Sequence, residues 1–372
     1  MNSFRKGKVF IVLFLIFANG LLAGNYEDDT KFWFTNFSLP AEIKELQFNS
    51  VVIFEESFTF EIIKRELITD LNILYGQEVT GTSDPLAGSV CVGTINNEIV
   101  TAFIMPEVFQ KIGNEGFVIK YLPEKDITVI AASTDVGCLY GTFHFLKVLH
   151  TNPKKVTSAV IAENPAYDHR ILNRWDNLVG TVERGYAGRS ILKCEKLPEN
   201  LDPRPCIIDY VRANASVGIN STVLNNVNAS PDILKAEYLQ KVKVIANPLR
   251  PYGIRVYLFE NFSSTKILGG LSDSDPLNPD VKNWWKNIVG EEYQLIPDFG
   301  GFLVKANSEG QPGPQDYGII HAEGANMLAD VLNPYGGIVM WRAFEYKPSG
   351  DGSVKQAYNE LKQLIFDLKN HN

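Results

Sequence analysis

A lysine and a glutamate lie four residues apart at the end of an apolar stretch, where they could take part in chemistry. The stretch Gly301–Ala306 has the composition of a short buried strand, which would deliver Lys305 to its carboxyl end. Glu309 follows in a loop rich in Gly and Pro, residues that give a loop a specific shape. A carboxyl group beside apolar walls can have a raised pKa and serve as a general acid. From spacing alone, Glu309 fits either a general acid or a solvated surface residue.

Two further predicted strands end in side chains that suit ligand binding. Trp175 ends a predicted strand at residues 171–175, and its ring could stack on a sugar face or lie in the core. Arg342 lies near the end of a predicted strand at residues 337–344. Its guanidinium could bind a carboxylate through two parallel hydrogen bonds.

The elements that carry these residues form a repeated strand–loop–helix pattern after Pro165. Five such units follow one another, and alternation of this kind predicts a parallel sheet with helical connections. In chain order, the predicted strands and helices are residues 171–175 and 207–216, 218–224 and 232–245, 254–260 and 280–295, 301–306 and 321–332, and 337–344 and 356–368.

Two architectures fit this alternation, an open doubly wound sheet and a (β/α)8 barrel. No Gly-x-Gly-x-x-Gly motif follows a predicted strand, which disfavours a dinucleotide-binding sheet. Barrel enzymes build their sites from residues at the carboxyl ends of the strands. Polar residues occupy those positions here, namely Asp176, Asn225, Asn261, Asn307 and Arg342. Five units of roughly 40 residues fall short of the barrel's eight, so an incomplete TIM barrel is predicted over residues 164–372.

The chain before this pattern is predicted to contain a signal peptide at residues 1–24 and an α+β domain at residues 25–163. Arg5, Lys6 and Lys8 precede an apolar run that is too short to span a bilayer, and small residues follow it. The sequence therefore predicts a secreted or periplasmic protein with no membrane attachment after signal cleavage. In the α+β domain, strands are predicted at residues 50–54, 90–93, 116–121 and 127–132, and helices at residues 60–75 and 137–150.

Composition and charge argue against several classes of function. The net charge of −8 disfavours nucleic acid as a partner, because nucleic-acid-binding proteins usually carry a basic patch. Four Cys in 372 residues are too few for a disulfide framework. The five His show no paired metal-ligand spacing, and no Gly-x-Ser-x-Gly motif occurs, so metal and serine hydrolases are both disfavoured.

The chemistry-bearing segments resemble those of glycoside hydrolase family 67, the α-glucuronidases. The similarity runs from about Pro165 to Tyr358, and the first region resembles the N-terminal α+β domain of that family. It is carried by the strings at residues 182–190, 305–317 and 341–344, and by the segments around Trp175, Glu183, Asn226, Glu309 and Arg342. The resemblance implies an N-terminal α+β domain followed by a (β/α)8 barrel.

The resemblance also implies an activity and roles for individual residues. Family members remove glucuronic acid or its 4-O-methyl ether, α-1,2-linked to the terminal xylose of xylan-derived oligosaccharides, by inversion and without metal or cofactor. By this similarity Glu309 is the general acid, and Lys305 and Arg342 hold the glucuronate. Trp175 and Val227 form apolar walls near the sugar and its O-methyl group.

Two positions depart from the family pattern. Arg174 stands where the family is expected to have His, and Cys194 stands where a Trp is common. Both lie close to the first loop of the predicted barrel, so differences from the family are expected there.

Inverting hydrolysis also needs a base carboxylate, ~6.5–9.5 Å from the acid across the sugar. The resemblance places this base after later barrel strands, beyond Asn372, so we expect a truncated α-glucuronidase that is aggregation-prone and inactive when expressed alone. The alternative is a catalytically inactive remnant that at most binds acidic sugars. A homodimer is expected only in a full-length form, because the family's C-terminal helical domain provides the dimer contacts.

Overall fold

The computed structural model describes residues 46–190, 192, 205–228, 230–307 and 312–343. The predicted signal peptide, the predicted last helix at residues 356–368, Cys194 and Glu309 lie outside these ranges. The described residues form two β-sheets with helices packed against them, one mixed and one parallel. None of the helices in these ranges is both long and apolar enough to cross a bilayer.

The first sheet is the mixed one and has six strands. Its strand order is β2-β1-β3-β5-β4-β6, and β4 runs antiparallel to both of its neighbours. The predicted strand pair is confirmed as β4 and β5, and the two predicted long helices are confirmed as α1 and α3. The parallel pairing of β1 with β2 and β3, and of β3 with β5, is not evident from the sequence pattern. The strands are β1 (Ser50–Ile53), β2 (Thr80–Thr82), β3 (Ser89–Thr94), β4 (Phe117–Leu122), β5 (Ile127–Ala132) and β6 (Ile161–Glu163). The helices are α1 (Phe58–Tyr75), α2 (Glu98–Phe103), α3 (Asp135–Thr151) and α4 (Lys154–Ser158).

Helix α1 illustrates how the local sequence sets these elements. Ser57 is its N-cap, and the Ser57 hydroxyl accepts a hydrogen bond from the Phe60 amide at 3.3 Å. Gly76 ends the helix with a φ of +64, a left-handed conformation that suits glycine. Between these ends, four apolar residues spaced three or four apart are buried, as the spacing predicts: Ile63, Leu67, Leu71 and Leu74.

The second sheet has five parallel strands that follow the order of the chain from β7 to β11. Each of the five predicted strands is confirmed, as are the four predicted helices that lie within the described ranges. The strands are β7 (Ile171–Asn173), β8 (Ser221–Val223), β9 (Arg255–Asn261), β10 (Gly301–Ala306) and β11 (Ile338–Ala343). The helices are α5 (Pro205–Ser216), α6 (Ala236–Leu249), α7 (Ser264–Ile267), α8 (Pro279–Leu295) and α9 (His321–Leu332).

Some predicted boundaries in this sheet differ from the structure. Strands β7 and β8 are three residues long and thus shorter than predicted, because the chain beyond them leaves the ladder and forms loops. Helix α6 begins at Ala236, four residues later than predicted. Pro231–Leu234 forms a separate 3-10 turn, and the extended backbone of Lys235 interrupts the helical path between the two.

The long helices of the second sheet all pack on one face, which we call the helix face. Val256 and Leu258 of β9 point to this face and belong to the main core, as do Phe302 and Val304 of β10. A strand order without reversal and helices on one face exclude a doubly wound sheet and match part of a (β/α) barrel. The alternate strand residues form a smaller apolar cluster on the opposite, inner face, with Val223, Val227, Tyr257 and Phe259 buried and Ile171, Trp175, Leu303, Ile338 and Met340 packed against them.

An ion pair between helices joins the two sheets. Glu66 of α1 and Arg212 of α5 form a forked pair, with Nε of Arg212 2.9 Å from one carboxylate oxygen and Nη2 2.7 Å from the other. Glu66 is only 5% exposed. Thr59 also donates a hydrogen bond to the carbonyl oxygen of Pro251 at 2.7 Å. These contacts hold the helices of the first sheet against the helix layer of the second.

Arg212→Met should lower the free energy of unfolding by about 3 kcal/mol, because it leaves the buried Glu66 carboxylate without its main cation. The double variant with Glu66→Gln should recover part of this loss, since no charge is then buried. Urea unfolding followed by circular dichroism measures both effects. Lys235→Met is the matched control and should change little, because Lys235 and Asp232 form an exposed pair. An equal loss in the free energy of unfolding for Arg212→Met and Lys235→Met would contradict the assigned role of the ion pair between Glu66 and Arg212.

Candidate active site

The carboxyl edge of the second sheet gathers three polar side chains in one row on the inner face. Lys305 of β10 pairs in register with Asn261 of β9 on one side and with Arg342 of β11 on the other. Leu303 and Met340, two residues earlier on their strands, pack in the inner-face cluster. Side chains two apart on a strand share a face, so Lys305 and Arg342 point inward as well. We call Asn261, Lys305 and Arg342 the inner row.

Lys305 is buried although it carries a charge. It is 1% exposed, and its Nζ donates a 2.6 Å hydrogen bond to Oδ1 of Asn228 in the loop after β8. The backbone amide of Asn228 in turn donates to Oδ1 of Asn226 at 2.8 Å. The ammonium group is therefore held at the carboxyl edge by a loop that belongs to another strand.

Trp175 and Val227 lie on the inner face beside this row. Val227 is buried in a cluster with Tyr257 and Phe259, and Trp175 is half-buried against that cluster. Burial raises the pKa of the Tyr257 hydroxyl, which therefore stays neutral in this wall. The structure thus brings four of the five predicted site residues to one face of one sheet.

Asn226 braces the loop that carries Trp175. Its side-chain amide donates to the carbonyl oxygen of Trp175 at 3.2 Å and to that of Glu183 at 2.7 Å, and the residue is fully buried. Glu183 has a φ of +57, and its carbonyl oxygen also accepts a hydrogen bond from Asn177 at 2.7 Å. The sequence identifies Asn226 only as part of a family-like segment and gives no sign of this bracing role.

Two of the polar residues that follow the strands serve the fold and not the inner row. Asn225 accepts from the amide of Phe259 at 2.6 Å and donates to its carbonyl at 2.9 Å, which continues the ladder between β8 and β9. Asp176 forms an ion pair of 2.7 Å with Arg174. The Arg174 guanidinium lies 4.8 Å from the ring centre of Tyr210 on α5. Arg174, which stands where the family is expected to have His, therefore contacts a helix of the helix face.

Glu309 lies outside the described residues, whereas both ends of its loop are described. Asn307 adopts a φ of +52 directly after β10, and its amide donates to the carbonyl oxygen of Pro312 at 3.4 Å. Gly313 approaches Asn307 so closely that a Cβ atom at Gly313 would overlap the Asn307 side chain. The two ends of the loop are therefore held side by side at the carboxyl edge.

The inner face combines two cations with an apolar wall. Lys305 and Arg342 can bind an anionic group, while Trp175 and Val227 can contact the apolar face of a ring. Within the described ranges, no three His, Cys, Asp or Glu side chains are grouped so that they could hold a metal ion.

Parallel strands in chain order, helices on one face and a polar carboxyl edge are consistent with part of a (β/α) barrel. A family model described as the glycosyl hydrolase family 67 middle domain matches residues 149–370, and a model of the N-terminus of that family matches residues 39–145. The chain therefore belongs to glycosyl hydrolase family 67, as its sequence motifs predict.

Curated relatives include proteins named α-glucuronidase. Alpha-glucuronidase A of Emericella nidulans is 40% identical over 292 residues, which cover 76% of this chain and 33% of that protein. The probable alpha-glucuronidase A of Aspergillus oryzae is 43% identical over 223 residues, which cover 59% of this chain and 26% of the relative. The chain thus spans about a third or less of the length of these relatives.

Solved structures share the fold at low sequence identity. A GH20 β-N-acetylhexosaminidase from Streptomyces coelicolor has a TM-score of 0.52 and 11% identity, covering 87% of this chain and 69% of that one. A family GH115 4-O-methyl-α-glucuronidase has a TM-score of 0.50 and 15% identity, covering 78% of this chain and 40% of that one. At these identities the likeness concerns the fold alone.

Asn226→Asp should lower the free energy of unfolding by about 2–3 kcal/mol. The substitution keeps the shape of the side chain but turns its amide donor into an acceptor that faces the carbonyl oxygens of Trp175 and Glu183. Chemical denaturation measures the loss. Asn247→Asp, at an exposed position of α6, introduces the same charge and should have little effect. If the two variants were equally stable, the bracing role of Asn226 would be wrong.

Proposed function

We propose that this protein is an α-glucuronidase that removes α-1,2-linked glucuronic acid, or its 4-O-methyl ether, from xylan-derived oligosaccharides by inverting hydrolysis. Membership of glycosyl hydrolase family 67 and the names of the relatives support glucuronidase chemistry. The observation that carries the proposal is the inner row, in which two cations lie on neighbouring strands. The signal-peptide pattern at residues 1–24 supports a secreted or periplasmic location.

The neighbouring cations of the inner row favour an anionic ligand. Lys305 and Arg342 are register partners, and adjacent strands lie about 4.8 Å apart. A uronate carboxylate near the two head groups would be attracted to both, and the guanidinium fork of Arg342 suits its two oxygens. A neutral hexose carries no charge for these groups to attract.

In the proposed reaction, Glu309 protonates the xylose oxygen as it leaves. Lys305 and Arg342 hold the glucuronate carboxylate, and Trp175 and Val227 provide apolar surface for the ring and its O-methyl group. A second carboxylate, about 6.5–9.5 Å from the acid, activates a water molecule on the opposite face of the sugar. We place this base on strands that follow β11 in a complete eight-stranded barrel.

Half-buried apolar residues on the inner face support the proposal of further strands. Ile338 and Met340 of β11 and Ile171 of β7 are apolar but only half-buried there. Strands of a parallel barrel are buried on both faces, so we infer that additional strands cover these residues in the complete enzyme. The matched segment is 33% of the Emericella nidulans protein, and the remainder of such a relative is long enough to supply them.

Lys305→Met should abolish a preference for glucuronate over glucose in a polypeptide that joins residues 25–343 to the remaining length of the Emericella nidulans relative. The unchanged polypeptide should bind glucuronate at least about tenfold more tightly, because only the glucuronate carboxylate is attracted to the two cations. Titration calorimetry with the two sugars measures the ratio. Lys266→Met, at an exposed position of α7, is the matched control and should keep the preference. Equal affinity of the unchanged polypeptide for both sugars would overturn the proposed specificity.

Glu309→Gln tests the general acid in a chimera that joins residues 25–343 to the remaining length of the Emericella nidulans relative. Release of glucuronic acid from xylan-derived oligosaccharides should fall by about 100-fold or more, since general acid catalysis contributes about 10²–10⁴-fold. An aryl α-glucuronide has a good leaving group that needs little protonation, so its hydrolysis should fall far less. Glu291→Gln, at an exposed position of α8, is the matched control and should leave both rates unchanged.

The outcomes of this experiment separate the proposal from its alternative. Equal losses on the oligosaccharide and the aryl glucuronide would argue against an acid role for Glu309. An unchanged chimera that binds glucuronate with the expected preference but releases none would support a protein that binds acidic sugars without hydrolysing them.

A further inference from the structure

A carboxyl group is buried directly behind the inner row. Glu260 precedes Asn261 on β9, and because successive strand residues face opposite sides, its side chain lies on the helix face. Glu260 is 0% exposed. An ionised carboxylate in this position would lose its hydration, so its hydrogen-bond partners decide which protonation state is stable.

Oε2 of Glu260 accepts a hydrogen bond from the backbone amide of Asn261 at 3.1 Å and also contacts Ser264. Both contacts of Ser264 are satisfied if Glu260 carries a proton. Ser264 Oγ lies 2.7 Å from the carbonyl oxygen of Asn261 and 2.9 Å from Oε2 of Glu260. A serine hydroxyl has one proton and a carbonyl oxygen can only accept, so Ser264 donates to Asn261. The contact with Glu260 then needs a proton on Oε2, which a neutral carboxyl group provides. With an ionised Glu260, one of the two contacts of Ser264 would lack a proton.

The surroundings of Glu260 also favour the neutral acid. Oε1 of Glu260 has no hydrogen-bond partner in the described part of the chain, a greater loss for an anion than for a neutral carbonyl group. Helix α8 contributes Glu292, which is fully buried and has neither oxygen bonded within the same ranges. Burial raises the pKa of both carboxyl groups. The cation of the adjacent strand β10, Lys305, points to the opposite face.

We propose that Glu260 is a positioning residue that acts as a neutral acid: it donates its proton to Ser264, which in turn fixes the carbonyl of Asn261 at the end of β9. Asn261 is the register partner of Lys305, and its Oδ1 accepts a hydrogen bond from the amide of Ser263 at 2.8 Å. This turn therefore sets where β9 leaves the sheet beside the inner row. The protonated side chain holds the turn in place and puts no negative charge behind Lys305. A negative charge there would compete with the carboxylate of a substrate for Lys305.

Infrared spectroscopy of the polypeptide at neutral pH tests the protonation state independently of any substrate. A neutral carboxyl group has a C=O stretching band that is separate from the bands of carboxylates. Glu260→Gln should remove part of this band. Glu292→Gln, a matched substitution of the other buried acid, should remove a different part and leave the Glu260 component. Retention of the whole band in Glu260→Gln would overturn the neutral-acid assignment.

The pH dependence of stability gives a second readout of the same group. Burial raises the pKa of Glu260 in the folded chain above its ordinary value of 4.5, so the neutral form favours folding. The contribution of Glu260 to stability is therefore fully present below the unfolded pKa and is lost as the pH rises towards the folded pKa. The Gln side chain of Glu260→Gln does not titrate. The melting temperature of this variant, relative to that of the unchanged chain, should therefore rise between about pH 5 and about pH 8. A difference that stays constant over this range would count against the proposal.

Glucuronate binding by the conservative variant Glu260→Gln distinguishes a positioning role of Glu260 from a role in packing alone. Glu260→Gln retains a donor for Ser264 and should bind glucuronate within about twofold of the unchanged chain, whereas Glu260→Met and Ser264→Ala should weaken binding about tenfold. Equal weakening in the Gln and Met variants would refute the positioning role. This binding test rests on the proposed function, and the infrared and pH tests do not. Loss of the infrared component without any glucuronate preference in the unchanged chain would therefore refute the proposed function while establishing the protonation state.

Discussion

The candidate site depends on the in-register pairing of β10 with β9 and β11. Because side chains alternate along a strand, this register decides that Lys305 faces inward with Arg342, whereas Val304 faces the helices with Glu260. A slip of one residue would exchange the two sets and place the cation among the helices. Gly301 helps to fix the register, because its φ is +124 and a Cβ atom there would overlap a carbonyl oxygen at the start of β11.

The edge that carries the inner row is built with neutral amide groups from neighbouring loops. Asn225 extends the ladder beyond β8, Asn226 braces the loop of Trp175, and Asn228 accepts the hydrogen bond of Lys305. Buried polar groups need partners, and an amide can both donate and accept without adding charge. The loops are therefore held in place without adding a negative charge beside the inner row.

Local signals in the sequence predict the elements well and the contacts between distant residues poorly. Strand Gly301–Ala306 and helix His321–Leu332 are predicted to the residue, because apolar period and composition are local properties. Trp175, Lys305 and Arg342 reach the inner face for the same reason, since a position near a strand end can be recognised locally. Val227 is indicated only by the family resemblance. The pairing of Glu66 with Arg212 spans 146 positions, and no local pattern indicates it. Likewise, the acid at Glu260 interrupts an apolar run, and its role depends on partners that only the fold brings together.

A buried ionisable group has different surroundings on the two faces of the sheet. Lys305 lies at the carboxyl edge, where the side-chain oxygen of Asn228 accepts a hydrogen bond from its Nζ. Glu260 occupies the preceding row on the other face, where burial makes ionisation of its carboxyl group costly and raises its pKa. If both groups were charged, the negative field behind the sheet would offset part of the positive field in front of it. A neutral Glu260 adds no negative charge behind the two inward cations, which supports the proposed preference of the inner face for an anion.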